Sequence, residues 1–309
     1  MQSEPSPSII NSAAHWREVN LNKYSFEKVY NAQWPHSYYA EHRRFDYQIP
    51  QNAQAGIGAI VEEIRKGRRI ERAALLDVGC SYGINGLLLK KQIDLETLYR
   101  AYLEPNGLLG SQDLQAHTRY CNGLKDRRGV QVIGLDTAEA AVRYGLGIGA
   151  LDHGIVCDLE SQDTAIGADH LPFTVDLIIS TGCIGYVSER TFARLLRLLA
   201  RQQQEPWVLS YVMRPFPYSA IARCLAGFGL LTLRLPQYCS RQRRFSCLSE
   251  REALLAKMHD LRLDDSPERA TGYIHADCYL SVPADEARVL ARLVAQTPAD
   301  QGQLIFADS

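Results

Sequence analysis

The 309-residue chain predicts a doubly wound α/β domain, an open and mostly parallel sheet with helices on both faces. Three observations predict it. From Ala53 onward, short apolar runs alternate with stretches of helical spacing. The first apolar run leads straight into a glycine turn, in the order Leu75-Leu76-Asp77-Val78-Gly79-Cys80-Ser81-Tyr82-Gly83. The next two apolar runs also end in acids, at Asp136 and Asp158.

The elements follow in order. Behind a Ser/Pro-rich start, residues 15–47 are dense in aromatics: Trp16, Tyr24, Phe26, Tyr30, Trp34, Tyr38, Tyr39, Phe45 and Tyr47. Their spacing around the Pro35 break suits short helices that lay aromatic faces on a neighbouring surface, so residues 1–52 read as a helical cap. Residues 53–309 read as the main domain. Ile57, Ile60, Val61 and Ile64 give the helix Ala53–Lys66, followed by the strand Ala73–Val78 and a helix from Asn85 to Gln92. Leu95 to Leu124 reads as added helical structure, an insertion at about 93–128 ahead of the strand Val130–Leu135. A helix from Ala138, strands Gly154–Cys157 and Val175–Ser180, helix Glu189–Arg201 and strand Trp207–Val212 continue the alternation. The remainder reads as a helix Tyr218–Phe228, a strand Leu230–Leu235, a basic loop Arg241–Arg244, a helix Ser249–Leu261, a strand Tyr273–Val282 and a closing helix Ala284–Ala295.

Composition narrows the function. With 46% hydrophobic and 22% charged residues and a net charge of −1, the chain has the balance of a globular enzyme and no basic stripe for nucleic acid. The N-terminal residues lack the basic and apolar regions of a signal peptide, and no apolar run approaches the ~18 residues of a membrane span, so a cytoplasmic protein without membrane contact is expected. Eight cysteines without a C-x-x-C pair suit reduced, buried thiols, and no His/Cys/Asp cluster has metal spacing. Self-association stays open.

The chemistry sits in the glycine loop. A strand followed by a tight Gly79–Gly83 turn and a helix lets backbone approach a ligand closely and aims helix N–H groups at it. The dinucleotide pattern G-x-G-x-x-G is absent, because Ser81 stands at the central glycine and Gly86 lies two residues beyond the third. NAD is therefore disfavoured.

These residues resemble the first motif of class I S-adenosylmethionine-dependent methyltransferases, a hydrophobic strand followed by an acid and spaced glycines; the likeness covers roughly Leu75 to Val212. It implies a Rossmann-like methyltransferase sheet whose final strand is antiparallel. It also implies a cofactor site for S-adenosylmethionine, without metal, at Asp77, Gly79, Cys80, Ser81 and Gly83. Asp136 with Thr137 would serve the ribose, Asp158 with Leu159 the adenine, and Ser180 and Thr181 the end of the fourth strand, above which transfer occurs. The stretch Thr181-Gly182-Cys183-Ile184-Gly185-Tyr186-Val187, with Arg241-Gln242-Arg243-Arg244-Phe245 and Gly272-Tyr273-Ile274-His275-Ala276, further resembles the azetidine-2-carboxylate synthases of bacterial natural-product pathways. That resemblance implies cyclisation of S-adenosylmethionine with release of methylthioadenosine. Methyl transfer to a small natural-product substrate is the alternative, and a non-catalytic binding protein the third reading. Either reaction places Tyr186, Thr181, Tyr38 and His36 as candidate catalytic residues, and Trp34 and Tyr30 of the cap beside the sulfonium. The aromatics also suit hydrophobic anchoring, and the histidine a structural role.

Overall fold

A computed structural model describes residues 27–127, 129–161 and 174–295. Trp16, Tyr24 and Phe26 lie outside the described residues. The chain builds one eight-stranded sheet: β1 (Ala73–Val78), β2 (Val130–Asp136), β3 (His153–Val156), β4 (Leu177–Thr181), β5 (Trp207–Met213), β6 (Leu230–Arg234), β7 (Ser240–Arg244) and β8 (Tyr273–Pro283). Their spatial order is β3-β2-β1-β4-β5-β8-β6, with β7 also on β8. β1 to β5 pair in parallel, and β8 runs antiparallel to β5, β6 and β7. The order reverses between β1 and β4, which opens a crevice at the carboxyl edge where an α/β sheet takes ligands.

The helices are α1 (Glu27–Tyr30), α2 (His36–Arg44), α3 (Ile49–Asn52), α4 (Gln54–Arg68), α5 (Ile84–Lys90), α6 (Leu95–Leu103), α7 (Leu114–Gly123), α8 (Glu139–Gly147), α9 (Glu189–Arg201), α10 (Ser219–Ala226), α11 (Leu248–Asp260), α12 (Ser266–Thr271) and α13 (Arg288–Ala295). Alternation along the strands divides the core between the two faces of the sheet. Leu76, Val78, Ile133 and Ile178 pack against Phe192, Leu195 and Leu199 of α9 and Ile221 of α10. Leu75, Val132, Ile179 and Leu209 turn the other way, onto Ile57, Ile60 and Ile64 of α4 and Leu290 of α13. Each face is thus closed by helices from different parts of the chain.

A third apolar cluster lies at the end of the sheet. Tyr38 and Tyr39 of α2 pack with Tyr82, Leu87, Leu98, Tyr99, Tyr102 and Tyr144. Tyr39 stacks on Tyr102 at 4.1 Å, and the Tyr144 hydroxyl meets both Tyr102 at 2.6 Å and His117 Nδ1 at 2.7 Å. Residues 95–123 therefore form the bed on which α2 rests, with Asp94 and Asp113 capping α6 and α7 through the Thr97, Gln115 and Ala116 amides.

Two stretches depart from the sequence expectation. Arg241–Arg244, expected as a basic loop, is strand β7. Two of its polar residues, Gln242 and Arg243, are buried, and Arg243 pairs with buried Glu250 at 2.6 Å, so the strand carries no apolar alternation. The closing helix is shorter than expected, since Ala284–Glu286 forms a 3-10 turn and α13 begins at Arg288. Among the described residues no helix is long and apolar enough to cross a membrane, and no group of three or more His, Cys, Asp or Glu is placed to hold a metal ion.

Candidate functional site

Above the carboxyl ends of β1, β2 and β4 lies a cavity of about 590 Å³. Its floor is the loop after β1. Gly79 adopts φ +72°, and a Cβ there would stand 2.7 Å from the Cys183 Cβ, so backbone passes where no side chain fits. Gly83, at φ +77°, starts α5. Between them Ser81 holds φ 48°, a left-handed conformation unfavourable for a residue with a Cβ. Asp136 maintains it: one carboxylate oxygen accepts the Ser81 amide at 2.8 Å and the other the Ala138 amide at 2.9 Å. Each oxygen keeps a second lone pair, and Asp136 lines the cavity.

The wall continues through Thr137, Asp158, Leu159 and Glu160. One oxygen of Asp158 accepts the Glu160 and Ser161 amides, at 2.9 and 3.2 Å, which fixes the turn after β3. Arg194 of α9 secures the same turn by donating to the Leu159 and Ser161 carbonyls. Glu160 accepts from the Ser188 amide and hydroxyl and from the Thr191 hydroxyl, tying that turn to the start of α9.

The far end is roofed by aromatics. Tyr30, Tyr38, Tyr47 and Tyr186 all line the cavity, with Tyr30 edge-on to Tyr186 at 6.5 Å and 5.9 Å from Tyr38. Burial pushes the Tyr30, Tyr38 and Tyr47 phenols well above their ordinary range, so they are neutral hydroxyls and not bases. His42 stacks on Tyr38 at 3.9 Å, and burial lowers its pKa to about 3. No Lys, Arg or His lines the cavity among the described residues, whereas three carboxylates do. The cap is fastened by the loop itself, because the Tyr82 hydroxyl donates to the Val29 and Ala32 carbonyls at 3.1 and 2.8 Å.

Of the residues singled out from sequence, Gly79, Cys80, Ser81, Asp136, Thr137, Asp158, Leu159, Thr181, Tyr30, Tyr38 and Tyr186 line this one cavity. Five do not. Asp77 is buried one layer beneath, capped by Asn85; Gly83 serves as the N-terminal turn of α5. Ser180 points into the sheet and donates to the Ser210 hydroxyl at 3.0 Å. Trp34 lies edge-on to His117 and Tyr144, and His36 bonds the Leu109 carbonyl at 2.9 Å, both held on the bed of α6 and α7, away from the cavity. The sequence reading also omitted Asn85, Tyr47, Glu160 and Cys183, which line the cavity. Tyr47 and Glu160 carried a signal, one as the last cap aromatic and the other as the residue after Leu159. Asn85 carried none beyond its place in the helix after the glycine turn.

Burial raises the Asp77 carboxyl to about 7, partly opposed by the Asn85 hydrogen bond and increased by the charge of Asp136. The same burial, with Asp77 and Asp136 nearby, pushes the Cys183 thiol up to about 12. The Cys183 thiol is therefore not a ready nucleophile at neutral pH.

No family profile matches the chain, and no curated protein matches it. Several solved structures are similar in chain course. The plantazolicin methyltransferase BamL, in complex with a triazolic desmethylPZN analog and SAH, is 11% identical over 87% of this chain and 98% of its own, with a TM-score of 0.44. The magnesium protoporphyrin IX methyltransferase ChlM from Synechocystis PCC 6803, with bound SAM, is 11% identical over 89% and 92%, with a TM-score of 0.38. A TehB-like SAM-dependent methyltransferase from Corynebacterium glutamicum is 14% identical over 80% and 97%, with a TM-score of 0.38.

Proposed function

We propose that the protein is an S-adenosylmethionine-dependent enzyme that transfers a methyl group to an amine of a small molecule. The observation that carries this reading is the charge of the cavity: three carboxylates and, among the described residues, no cationic side chain line it. Such a lining repels the phosphates of a dinucleotide and favours a sulfonium nucleoside. The strand-end acids fit the remaining parts. Asp136 keeps lone pairs for two ribose hydroxyls, and Asp158 with Leu159 suits the amino edge of adenine. At the aromatic end, the rings of Tyr30, Tyr38, Tyr47 and Tyr186 suit a positive centre and exclude water.

When bound, S-adenosylmethionine supplies an electrophilic methyl group on its sulfonium sulfur. The protein's part is to hold the acceptor in line with it and to shield the site from water. Hydroxyl acceptors require a base, and at the aromatic end Tyr30, Tyr38 and Tyr47 are neutral phenols. An amine with a pKa near ~8 sheds its proton unaided, more readily when desolvated. Amine acceptors are therefore the class supported.

The neutral phenols at the aromatic end also suit a second reading, cyclisation, in which the amine is the α-amine of S-adenosylmethionine itself. The N–Cγ bond then forms, the Cγ–S bond breaks, methylthioadenosine leaves, and the surplus ammonium proton passes to solvent. One experiment separates the two. The protein is incubated with S-adenosylmethionine, alone and with a panel of small amines, and the nucleoside product is identified by mass. S-adenosylhomocysteine formed only with an amine supports methyl transfer, and methylthioadenosine above the protein-free control supports cyclisation. Neither product under any condition refutes the enzymatic reading.

A further inference from the structure

Asn85 is 5% exposed, sits on α5 and lines the cavity. Its amide nitrogen lies 3.1 and 3.2 Å from the two Asp77 oxygens and 2.9 Å from the Thr181 hydroxyl. Both amide hydrogens are thereby used, one on the carboxylate and one on Thr181. With Asp77 ionised, a flipped amide would set its oxygen against the carboxylate, so the orientation follows from the neighbours. The carbonyl oxygen Oδ1 is then fixed on the opposite side of the group, and it is buried without a partner among the described residues. A buried acceptor left unpaired is costly. Thr181, having accepted from Asn85, keeps its own hydroxyl hydrogen for an acceptor in the cavity.

One amide therefore sets an oriented pair at the inner end of the cavity, an acceptor at Asn85 Oδ1 and a donor at Thr181 Oγ1. That pair is the complement of an α-amino acid, whose ammonium donates and whose carboxylate accepts. We propose that Asn85 is the residue by which the site selects an amino-bearing adenosyl thioether or sulfonium over its deaminated counterpart, its Oδ1 accepting an ammonium N–H. Asp77 is a positioning residue, holding the Asn85 amide from below without touching the ligand. This rests on the proposed binding of S-adenosylmethionine and adds the residue that reads its amino-acid head.

The test crosses two proteins with two ligands that undergo no turnover. Wild type and Asn85→Ala are titrated calorimetrically with S-adenosylhomocysteine and with its deaminated analogue, S-adenosyl-4-thiobutyrate. Wild type is expected to favour the amine at least tenfold, and Asn85→Ala to reduce that preference below threefold. Asp77→Asn, in which an amide beneath Asn85 no longer dictates its orientation, is expected to diminish the preference in the same way. Equal affinity of wild type for the two ligands overturns the inference and leaves the cofactor reading standing. So does an Asn85→Ala preference equal to that of wild type. If neither ligand binds wild type, the cofactor reading falls, and the inference with it. The wild-type comparison needs no variant, so a misfolded Asn85→Ala protein cannot shelter the proposal.

Discussion

Asp136→Ala tests the centre of the site, and its effect can be worked from the hydrogen bonds the carboxylate makes. The side chain accepts the Ser81 amide at 2.8 Å and the Ala138 amide at 2.9 Å. Hydrogen bonds to a charged group are worth about 1.5–3 kcal/mol each. Asp136 is only half-buried, so the lower figure applies, and the loss of both should cost about 3 kcal/mol of stability. Ser81, held at φ 48° by one of them, should relax and take the loop with it. Two ribose hydroxyls on the remaining lone pairs would add about 3 kcal/mol to ligand binding, which is roughly a hundredfold in affinity. Asp136→Asn should fall between, since its amide keeps one acceptor oxygen but turns an N–H against one of the two backbone donors. Urea unfolding measures the first effect and calorimetric titration with S-adenosylhomocysteine the second, under conditions where the far-ultraviolet spectrum matches wild type. An Asp136→Ala protein that binds within threefold of wild type would refute the assignment of this carboxylate to the ligand.

Gly79→Ala should lose ligand binding and at least about 1–3 kcal/mol of stability, because the new methyl meets Cys183 at 2.7 Å from a backbone at φ +72°; wild-type affinity in this variant would show that the loop yields. Tyr82→Phe leaves the Val29 and Ala32 carbonyls unanswered, a loss of about 1–2 kcal/mol that should speed hydrogen exchange in residues 29–44 by roughly 5–30-fold while residues in β1 and β4 are unaffected. Burial raises Asp77 to about 7, so the native state keeps a proton that the unfolded chain gives up near ~3.9. Its contribution is whole below that lower value and is lost as pH rises through about 7, at up to ~1.4 kcal/mol per pH unit. The stability of wild type relative to Asp77→Asn, from urea unfolding, should therefore fall between pH 5 and 8; a flat difference contradicts it. His42, lowered to about 3 by burial, acts with the opposite sign and cancels in that comparison. Trp34→Phe should leave ligand affinity within about threefold, since its ring packs on His117 and Tyr144 outside the cavity; a larger loss by titration would place the cap aromatics differently.

The parallel half of the sheet was legible because its strands are buried on both faces and read as apolar runs, from Leu75-Leu76 to Ile178-Ile179. The glycine turn and the strand-end acids were legible for the same reason, since a run of apolar residues makes the polar residue that ends it conspicuous. Strand β7 was hidden because Gln242 and Arg243 face inward, and the partner of Arg243, Glu250, lies 7 residues away where no periodicity reveals it. The division of the cap aromatics was not legible. Its aromatics divide between two surfaces: Tyr39 and Trp34 pack on residues 95–144, and among the described cap aromatics Tyr30, Tyr38 and Tyr47 reach the cavity. Which face of a short helix meets which neighbour depends on tertiary placement, and the spacing of Tyr38 and Tyr39 is silent on it. Asn85 was invisible for a related reason, because its meaning comes from Asp77 and Thr181, residues 8 and 96 positions away.

The central claim is that the cavity above β1, β2 and β4 takes an adenosyl sulfonium or thioether and excludes anionic dinucleotides. A calorimetric titration of the wild-type protein with S-adenosylhomocysteine, beside a titration with NAD at the same concentrations, tests it most directly. The account predicts one-to-one binding of S-adenosylhomocysteine, abolished or weakened about a hundredfold by Asp136→Ala, and no heat of binding from NAD. Saturable binding of NAD, or no binding of S-adenosylhomocysteine, would contradict it.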